Sequence, residues 1–529
     1  MSEGNGAGSS SAKRNPIGTS FVVLVAVVGI FFRIASIGYN DAPHGDVLID
    51  SLAAETVASD GRFAVPLVLA SSSHSARAGE TLLDYRQPLW PLLAAPFARL
   101  TGDGYRGSRV LSFVCGLAFL GVAYGVFLRL FGRSAAAVAL VCCASSYLLI
   151  DFSGNGSLYQ LQALLFLAFV FLMGRVELKS HAILLGAVIA CSFLLHPSGA
   201  VLSVAFVLVQ LLRWRWGRLG HLGREVVLPV AVAAFLALPW LARNMILFGG
   251  VLPSGSDYIW FKLGVPWTIE VAGGQPFVVF DKGLSPVRMG TIAVWFAQNA
   301  FYSLRQLLVL SPVFSLVAPL GVFLVWQRFL REHRGDDAAS LVVPAVFCLV
   351  TFVWPVVKFR TFVVLVPLAF GFGAYGALCG LPRRWGRGVI GVGVAAVLLS
   401  SALTFFGTES HTYYYDGVLT RDNFGKAGEA DFIAEQSDLR RLADALVRRP
   451  RAPVLTDQLN LFHYTRFPVV QLIAKMDDGG LRELQRHHAA GYVVAHREMI
   501  GRYEALFGGR TIEVDGRFVA VELDLETPR

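Results

Sequence analysis

Apolar blocks of about 17 to 22 residues recur along residues 17–406, each close to the length that spans the hydrocarbon core of a bilayer. In lipid the backbone polar groups find no water, so such blocks fold as helices that satisfy their hydrogen bonds internally. The composition agrees. The 529 residues are 55% hydrophobic and 16% charged, against about 25% charge in soluble domains. A soluble globular enzyme, a disordered protein and a collagen-like chain are excluded. The fold class is an all-α polytopic membrane protein with a small C-terminal α/β domain.

The first span covers approximately 17–38. Further spans fall near 110–128, 134–150, 158–174, 182–196, 199–212, 226–243, 307–327, 340–356, 361–380 and 388–406, making 11. Residues 1–16 are rich in Gly and Ser and read as a disordered cytoplasmic terminus. Lys13 and Arg14 precede the first apolar run as in a signal peptide. The run continues through Phe31, Phe32 and Arg33 without a small-x-small cleavage site, so it reads as a retained helix.

Charge orients the bundle. Residues 407–529 hold 16 basic and 19 acidic side chains, whereas the rest of the chain holds 30 basic and 18 acidic. The surplus sits in alternate short connections: Lys13/Arg14, Arg129/Arg133, Arg175/Lys179, Arg213/Arg215/Arg218/Arg224, Arg328/Arg331/Arg334 and Arg383/Arg384/Arg387. Positive charge in short loops marks the cytoplasmic side. The N-terminus is therefore expected inside and the C-terminus outside, in a plasma membrane (the inner membrane of a bacterium). This pattern is not the footprint of a nucleic-acid binder.

Two non-cytoplasmic connections are long, 39–109 and 244–306. The first carries eight acids, Asp41, Asp46, Asp50, Glu55, Asp60, Glu80, Asp84 and Asp103. It also shows an apolar period (Leu89, Leu92, Leu93, Phe97, Leu100) that predicts amphipathic helices on the membrane. In the tail, short β-like runs at Pro453–Thr456, Pro468–Leu472, Tyr492–Ala495 and Arg517–Leu523 alternate with helical stretches such as Leu481–Ala489. No Walker A loop, G-x-G-x-x-G motif or fixed repeat is present. All six cysteines lie in apolar spans and read as packing residues. His487 and His488 are expected on a solvated helix face, His196 at a helix end, and Trp214 and Trp216 in an interfacial belt.

The spans are almost free of ionisable groups, which disfavours an ion-coupled carrier. Polar residues collect instead at the outer ends of the spans: Arg33, Asp46, Asp84, Arg86, Asp151, His196, Arg243, Lys358 and Arg360. Lys358 and Arg360 break the charge bias, because they occupy a short outer turn. Either they meet a standing lipid phosphate or they snorkel to ordinary head groups.

Several stretches resemble the GT-C membrane glycosyltransferases, in particular the branch of aminoarabinose transferases and protein O-mannosyltransferases. They are the first helix ending at Arg33, then Asp46, then Leu52-Ala-Ala-Glu-Thr-Val-Ala-Ser-Asp-Gly61, Arg86-Gln-Pro-Leu-Trp-Pro91 and Arg109-Val-Leu-Ser-Phe. Pro239-Trp-Leu-Ala-Arg-Asn-Met-Ile-Leu-Phe-Gly249 and Lys358-Phe-Arg-Thr-Phe continue the likeness. In the tail, Val454-Leu-Thr-Asp and His463-Tyr-Thr-Arg-Phe-Pro-Val-Val470 are similar to the outer domain of many bacterial members.

The resemblance implies an inverting glycosyltransferase, a hexosyl- or pentosyltransferase that takes a sugar from a polyprenyl-phosphate donor. The acceptor is a lipid, glycan or protein at the outer face, membrane lipids surround the enzyme, and nucleic acid plays no part. Asp46 takes the role of general base, because a hydroxyl is a weak nucleophile until its proton is accepted. Asp50, Asp41 and Asp151 are the fallback acids. Arg86, Lys358, Arg360 and Arg243 are the donor-phosphate candidates, though Arg243 reads more readily as a residue that stabilises a helix end. Two departures stand out. Val47 occupies a place where the family often has an acid, and the second outer loop reads Asp151-Phe-Ser-Gly-Asn-Gly-Ser-Leu-Tyr159 without the usual Arg/acid pair. No nucleotide site is required and no cofactor is certain; a divalent metal is left open. Asn155-Gly-Ser157 is also an N-glycosylation triplet. The alternative reading is a non-catalytic protein that binds or flips lipid-linked saccharides, which would not need Asp46.

Overall fold

Gly132 splits the longest helix. The segment Gly104–Ser145 is helical for 42 residues except at Gly132, whose φ of 80° and ψ of 171° only glycine adopts readily. The two arms double back on each other, since a β-carbon on Gly116 in the first arm would collide with Ser153 just beyond the second. One apolar segment thus supplies the two spans expected near 110–128 and 134–150.

The computed structural model describes residues 27–34, 36, 45–68, 82–83, 87–217, 220–248, 268–269, 277–278, 289–353, 362–407, 427–472 and 478–523. Residues 1–16, Asp41, Asp84, Arg86, Lys358 and Arg360 lie outside these described residues. Among the described residues, seven helices are long and apolar enough to cross a membrane: the bent Gly104–Ser145, Pro197–Arg215, Gly223–Leu247, Pro312–Glu332, Gly335–Phe352, Phe362–Gly380 and Arg383–Ala402. Two shorter apolar helices, Tyr159–Met173 and Lys179–Leu195, occupy the places expected for spans near 158–174 and 182–196. Helix Phe362–Gly380 is largely enclosed by its neighbours, while Gly223–Leu247 and Arg383–Ala402 show most of their apolar surface.

One stretch departs from the expected layout. Met289–Leu310 is a 22-residue helix where a loop was expected, and the span placed near 307–327 begins at Pro312 instead. Buried Asn299, Ser303 and Gln306 on that helix lower its apparent hydropathy. Pro312, lacking an N–H, is suited to a first-turn position and restarts the chain.

The connections expected on the cytoplasmic side meet at one end of the bundle. Arg129 Nε donates to Asp336 Oδ2 at 2.6 Å and its Nη2 to the Gly174 carbonyl at 2.6 Å. Arg334 binds the same Asp336 at 2.8 Å, and Arg328 pairs with buried Asp337 at 2.5 Å. Arg213 bridges Glu225 at 2.8 Å and Glu177 at 2.9 Å. Trp214 is exposed as a belt residue would be. Trp216 instead stacks on His333 with centroids 5.2 Å apart, joining two of these connections.

At the opposite end the tail forms a six-stranded sheet of order β2-β7-β6-β8-β10-β9. Its strands β6 (Val454–Thr456), β7 (Val469–Gln471), β8 (Tyr492–His496) and β10 (Phe518–Glu522) fall on the four expected runs, and β9 is Arg510–Ile512. The remaining edge strand, β2 (Leu67–Val68), comes from the first long loop and pairs in parallel with β7, Leu67 opposite Val469. Two small ribbons, β1 (Ala64–Val65) with β3 (Leu82–Leu83) and β4 (Thr268–Ile269) with β5 (Phe277–Val278), are the other strands among the described residues. One face of the large sheet is covered jointly by tail helix Ala427–Val447 and first-loop helix Gly45–Asp60, through Leu439 and Leu442 with Leu48, Ile49, Leu52 and Ala53. The other face packs Leu481, Leu484 and Tyr503. His488 is buried, contrary to the expectation of a solvated face, because helix Asp478–His488 ends against the sheet.

Candidate active site

Helix Gly45–Asp60 places Asp46 in its first turn, where the unpaired N–H groups and the helix dipole favour a carboxylate. Asp50 follows one turn later on the same face and is buried, while Asp46 is half-exposed. Three features fix this helix. Its apolar face belongs to the core of the tail. Gly104 lets the next long helix press directly on the Ser51 carbonyl. The Ser51 hydroxyl also donates to Ser108 Oγ at 3.2 Å.

The loop 151–157, expected on the outer side, packs against the start of that helix. The short helix Tyr147–Asp151 ends at Asp151, whose carbonyl accepts from Gly154 N at 2.8 Å and Asn155 N at 3.0 Å. Asn155 Nδ2 donates to Asp151 Oδ2 at 3.1 Å, and Asn155 Oδ1 accepts from Ser157 N at 3.0 Å. Asn155 is buried and its amide engaged, so the glycosylation triplet is closed to a modifying enzyme here. Gly156, at φ 81°, donates its N–H to Ser112 Oγ at 3.1 Å. A β-carbon on Gly156 would lie 3.3 Å from both the Val47 and Tyr105 side chains and 3.4 Å from that of Arg109. The loop tip thus joins the acidic helix end, the second outer loop and Arg109 in one place.

Arg109 is a residue that the sequence alone does not single out. Its Nε donates to the Gly154 carbonyl at 3.1 Å, and its guanidinium lies 5.3 Å from the Tyr105 ring centroid. The signal that could have found it is the one that singled out Lys358 and Arg360, a cation at the outer end of an apolar span. Tyr105 also meets His463 of the tail edge-on, ring centroids 6.2 Å apart. Burial pushes the His463 imidazole down, opposed by the nearby Asp103 carboxylate.

Arg243 is placed elsewhere. Its guanidinium lies 4.3 Å from the Trp240 centroid and 5.6 Å from that of Phe63, and donates to Asn244 Oδ1 at 3.0 Å. Phe63 follows the C-terminal end of helix Gly45–Asp60, and at 1.5 Å per residue Asp46 sits about 20 Å away along that helix. These contacts tie helix Leu228–Phe248 to Phe63, just past the end of helix Gly45–Asp60. His196 serves its own helix end, with Nδ1 accepting from Ser198 N at 3.2 Å and lying 2.7 Å from Ser198 Oγ. Among the described residues no three His, Cys, Asp or Glu side chains gather as a metal-holding group.

Residues 86–242 match the family model for dolichyl-phosphate-mannose-protein mannosyltransferase. In fold the chain is similar to ArnT from Cupriavidus metallidurans bound to undecaprenyl phosphate. The TM-score is 0.62 at 14% identity, covering 97% of this chain and 100% of that one. It is also similar to the Archaeoglobus fulgidus oligosaccharyltransferase in its apo form, with TM-score 0.59 at 10% identity over 97% and 75% of the two chains. The same archaeal enzyme, AglB, in complex with an inhibitory peptide and a dolichol-phosphate gives 0.56 at 12% identity, again over 97% and 75%. Among curated proteins no match is found.

Proposed function

We propose that this chain, by fold a GT-C superfamily membrane glycosyltransferase, moves a sugar from a polyprenyl-phosphate carrier to an acceptor on the outer side of the membrane, with inversion. The observation that carries the reading is the meeting of the Asp46 helix end, the Asp151–Asn155 loop and Arg109 around Gly156. A carboxylate and a cation are the two groups this transfer needs.

Asp46, half-exposed at its helix start, accepts the acceptor hydroxyl's proton as that oxygen attacks the anomeric carbon. The bond from that carbon to the carrier phosphate breaks on the opposite face, which inverts the configuration. The departing polyprenyl phosphate gains negative charge, and cations stabilise it. Arg109 joins Arg86, Lys358 and Arg360 in that role, while Arg243 is engaged with Trp240, Asn244 and Phe63. Asp151 and Asp50 are the second acids of the site. Packing of the Asp46 helix into the tail keeps the base on a rigid element.

The test is direct. Purified protein with a polyprenyl-phosphate sugar is assayed for release of polyprenyl phosphate. In parallel, envelope lipids and glycans are compared by mass spectrometry with and without the gene. Release together with one missing sugar supports transfer. Carrier binding without release in any acceptor mixture from the native envelope favours the non-catalytic alternative.

A further inference from the structure

Arg33 is fully buried in the bundle, and among the described residues every acceptor it meets is a neutral oxygen. A guanidinium removed from water at the end of a span is expensive, and such residues are kept for a structural or functional role. Its contacts say which. Nη1 donates to the Gly29 carbonyl at 3.0 Å and the Ala144 carbonyl at 3.1 Å, and Nη2 to the Cys143 carbonyl at 3.2 Å. These last two are terminal carbonyls of helix Gly104–Ser145, the end of a helix that favours a cation. Nε donates to Ser153 Oγ at 3.2 Å, on the far side of the short helix Tyr147–Asp151.

One rigid planar fork therefore grips the chain before and after the break that carries Asp151. The seat is built for it. A β-carbon on Gly29 would fall 2.8 Å from Ala144 Cβ, so only glycine admits this approach, and Gly116 leaves the room that Ser153 fills. Ser36, nearly one turn along the first helix, adds a hydroxyl contact to the Ile150 carbonyl at 3.3 Å. Ser153 Oγ is itself tied back to the Leu149 carbonyl at 2.6 Å, which passes the grip into the short helix.

We propose that Arg33 is a positioning residue: through Ser153 and the Cys143 and Ala144 carbonyls it sets the second outer loop, and with it Asp151 and Asn155, for contact with the donor. The proposal rests on the glycosyl-transfer reading for its final clause only. Lysine keeps the charge but loses the fork, and cannot hold both ends of the break.

The experiment is hydrogen–deuterium exchange over residues 150–157 in detergent, with undecaprenyl phosphate titrated against the same preparations. Wild type, Arg33→Lys and Ser153→Ala are compared. Exchange in the loop is expected to rise about tenfold in Arg33→Lys and less in Ser153→Ala, given the worth of one or two hydrogen bonds. Strands β6 to β8 should not change. Affinity for undecaprenyl phosphate should fall about tenfold in step, the scale of a small misplacement. Unchanged loop exchange overturns the proposal, and so does faster exchange with unchanged affinity. If Arg33→Lys does not fold, Ser153→Ala decides alone, since it removes one acceptor and leaves the buried cation its carbonyls. A wild type without affinity for undecaprenyl phosphate counts against the transfer reading, while the exchange comparison still decides whether Arg33 holds the loop.

Discussion

Leu67 of the first loop lies opposite Val469 of the tail in a parallel strand pair, and both are fully buried. Arg466 reaches from the tail to Glu55 at 3.3 Å, one turn before the end of the same helix that begins with Asp46. The tail is thus part of the scaffold of the acidic helix.

That arrangement predicts a stability effect across the chain. Leu67→Ala removes a buried side chain from the shared core and is expected to cost about 2 to 4 kcal/mol. The loss should appear in the tail, as faster amide exchange in β6, β7 and β8. Unchanged exchange there would mean that the tail folds without the first loop.

The tail should also weaken in acid through His488. Burial pushes its imidazole down to about 4, and the adjacent His487 adds in the same direction. The folded state therefore resists the proton that the unfolded chain accepts at its ordinary value of about 6.5. This contribution is fully present above that value and is lost as the pH falls toward 4, by about 3 kcal/mol in all. Chemical unfolding of the protein followed through tail amides between pH 7 and 4 measures it. His488→Leu should remove this part of the slope; an unaltered slope would place the titration elsewhere.

At the other end, Asp336 is buried between Arg129 and Arg334. Asp336→Asn leaves Arg129 without its anion and Arg334 with only its longer contacts to Glu332 and Asp337, both at 3.9 Å, and a loss of about 3 kcal/mol is expected from breaking a buried pair. The thermal midpoint should fall, while affinity for a polyprenyl phosphate analogue stays unchanged because the site lies at the opposite end. A matching loss of affinity would show coupling between the two ends.

Most of the bundle was legible because hydropathy and loop charge report directly on which segments enter lipid. The four tail strands were legible because each is a compact β-branched or aromatic run between turn residues, as in Tyr492-Val-Val-Ala495. The composite edge was not. Leu67 and Val68 make a strand of two residues, whose pairing is fixed by a partner far along the chain rather than by any local pattern. Helix Met289–Leu310 was hidden for a related reason: Asn299 satisfies its amide on the Phe352 carbonyl at 2.9 Å, a compensation that hydropathy does not see. At the site, Asp46, Asp50 and Asp151 were named from the sequence. Arg109 was passed over because its neighbours Tyr105 and Gly154 come from two separate segments.

In the proposed reaction everything turns on Asp46 accepting a proton during sugar transfer. Asp46→Asn preserves the side chain's size and most of its hydrogen bonding but removes its basicity. Purified wild type and variant are compared for turnover with a polyprenyl-phosphate sugar, alongside their affinity for undecaprenyl phosphate. Turnover is expected to fall at least about 100-fold, the low end for loss of a general base, with carrier affinity and thermal midpoint near those of wild type. Turnover within a few-fold of wild type in a folded variant that still binds the carrier would contradict it.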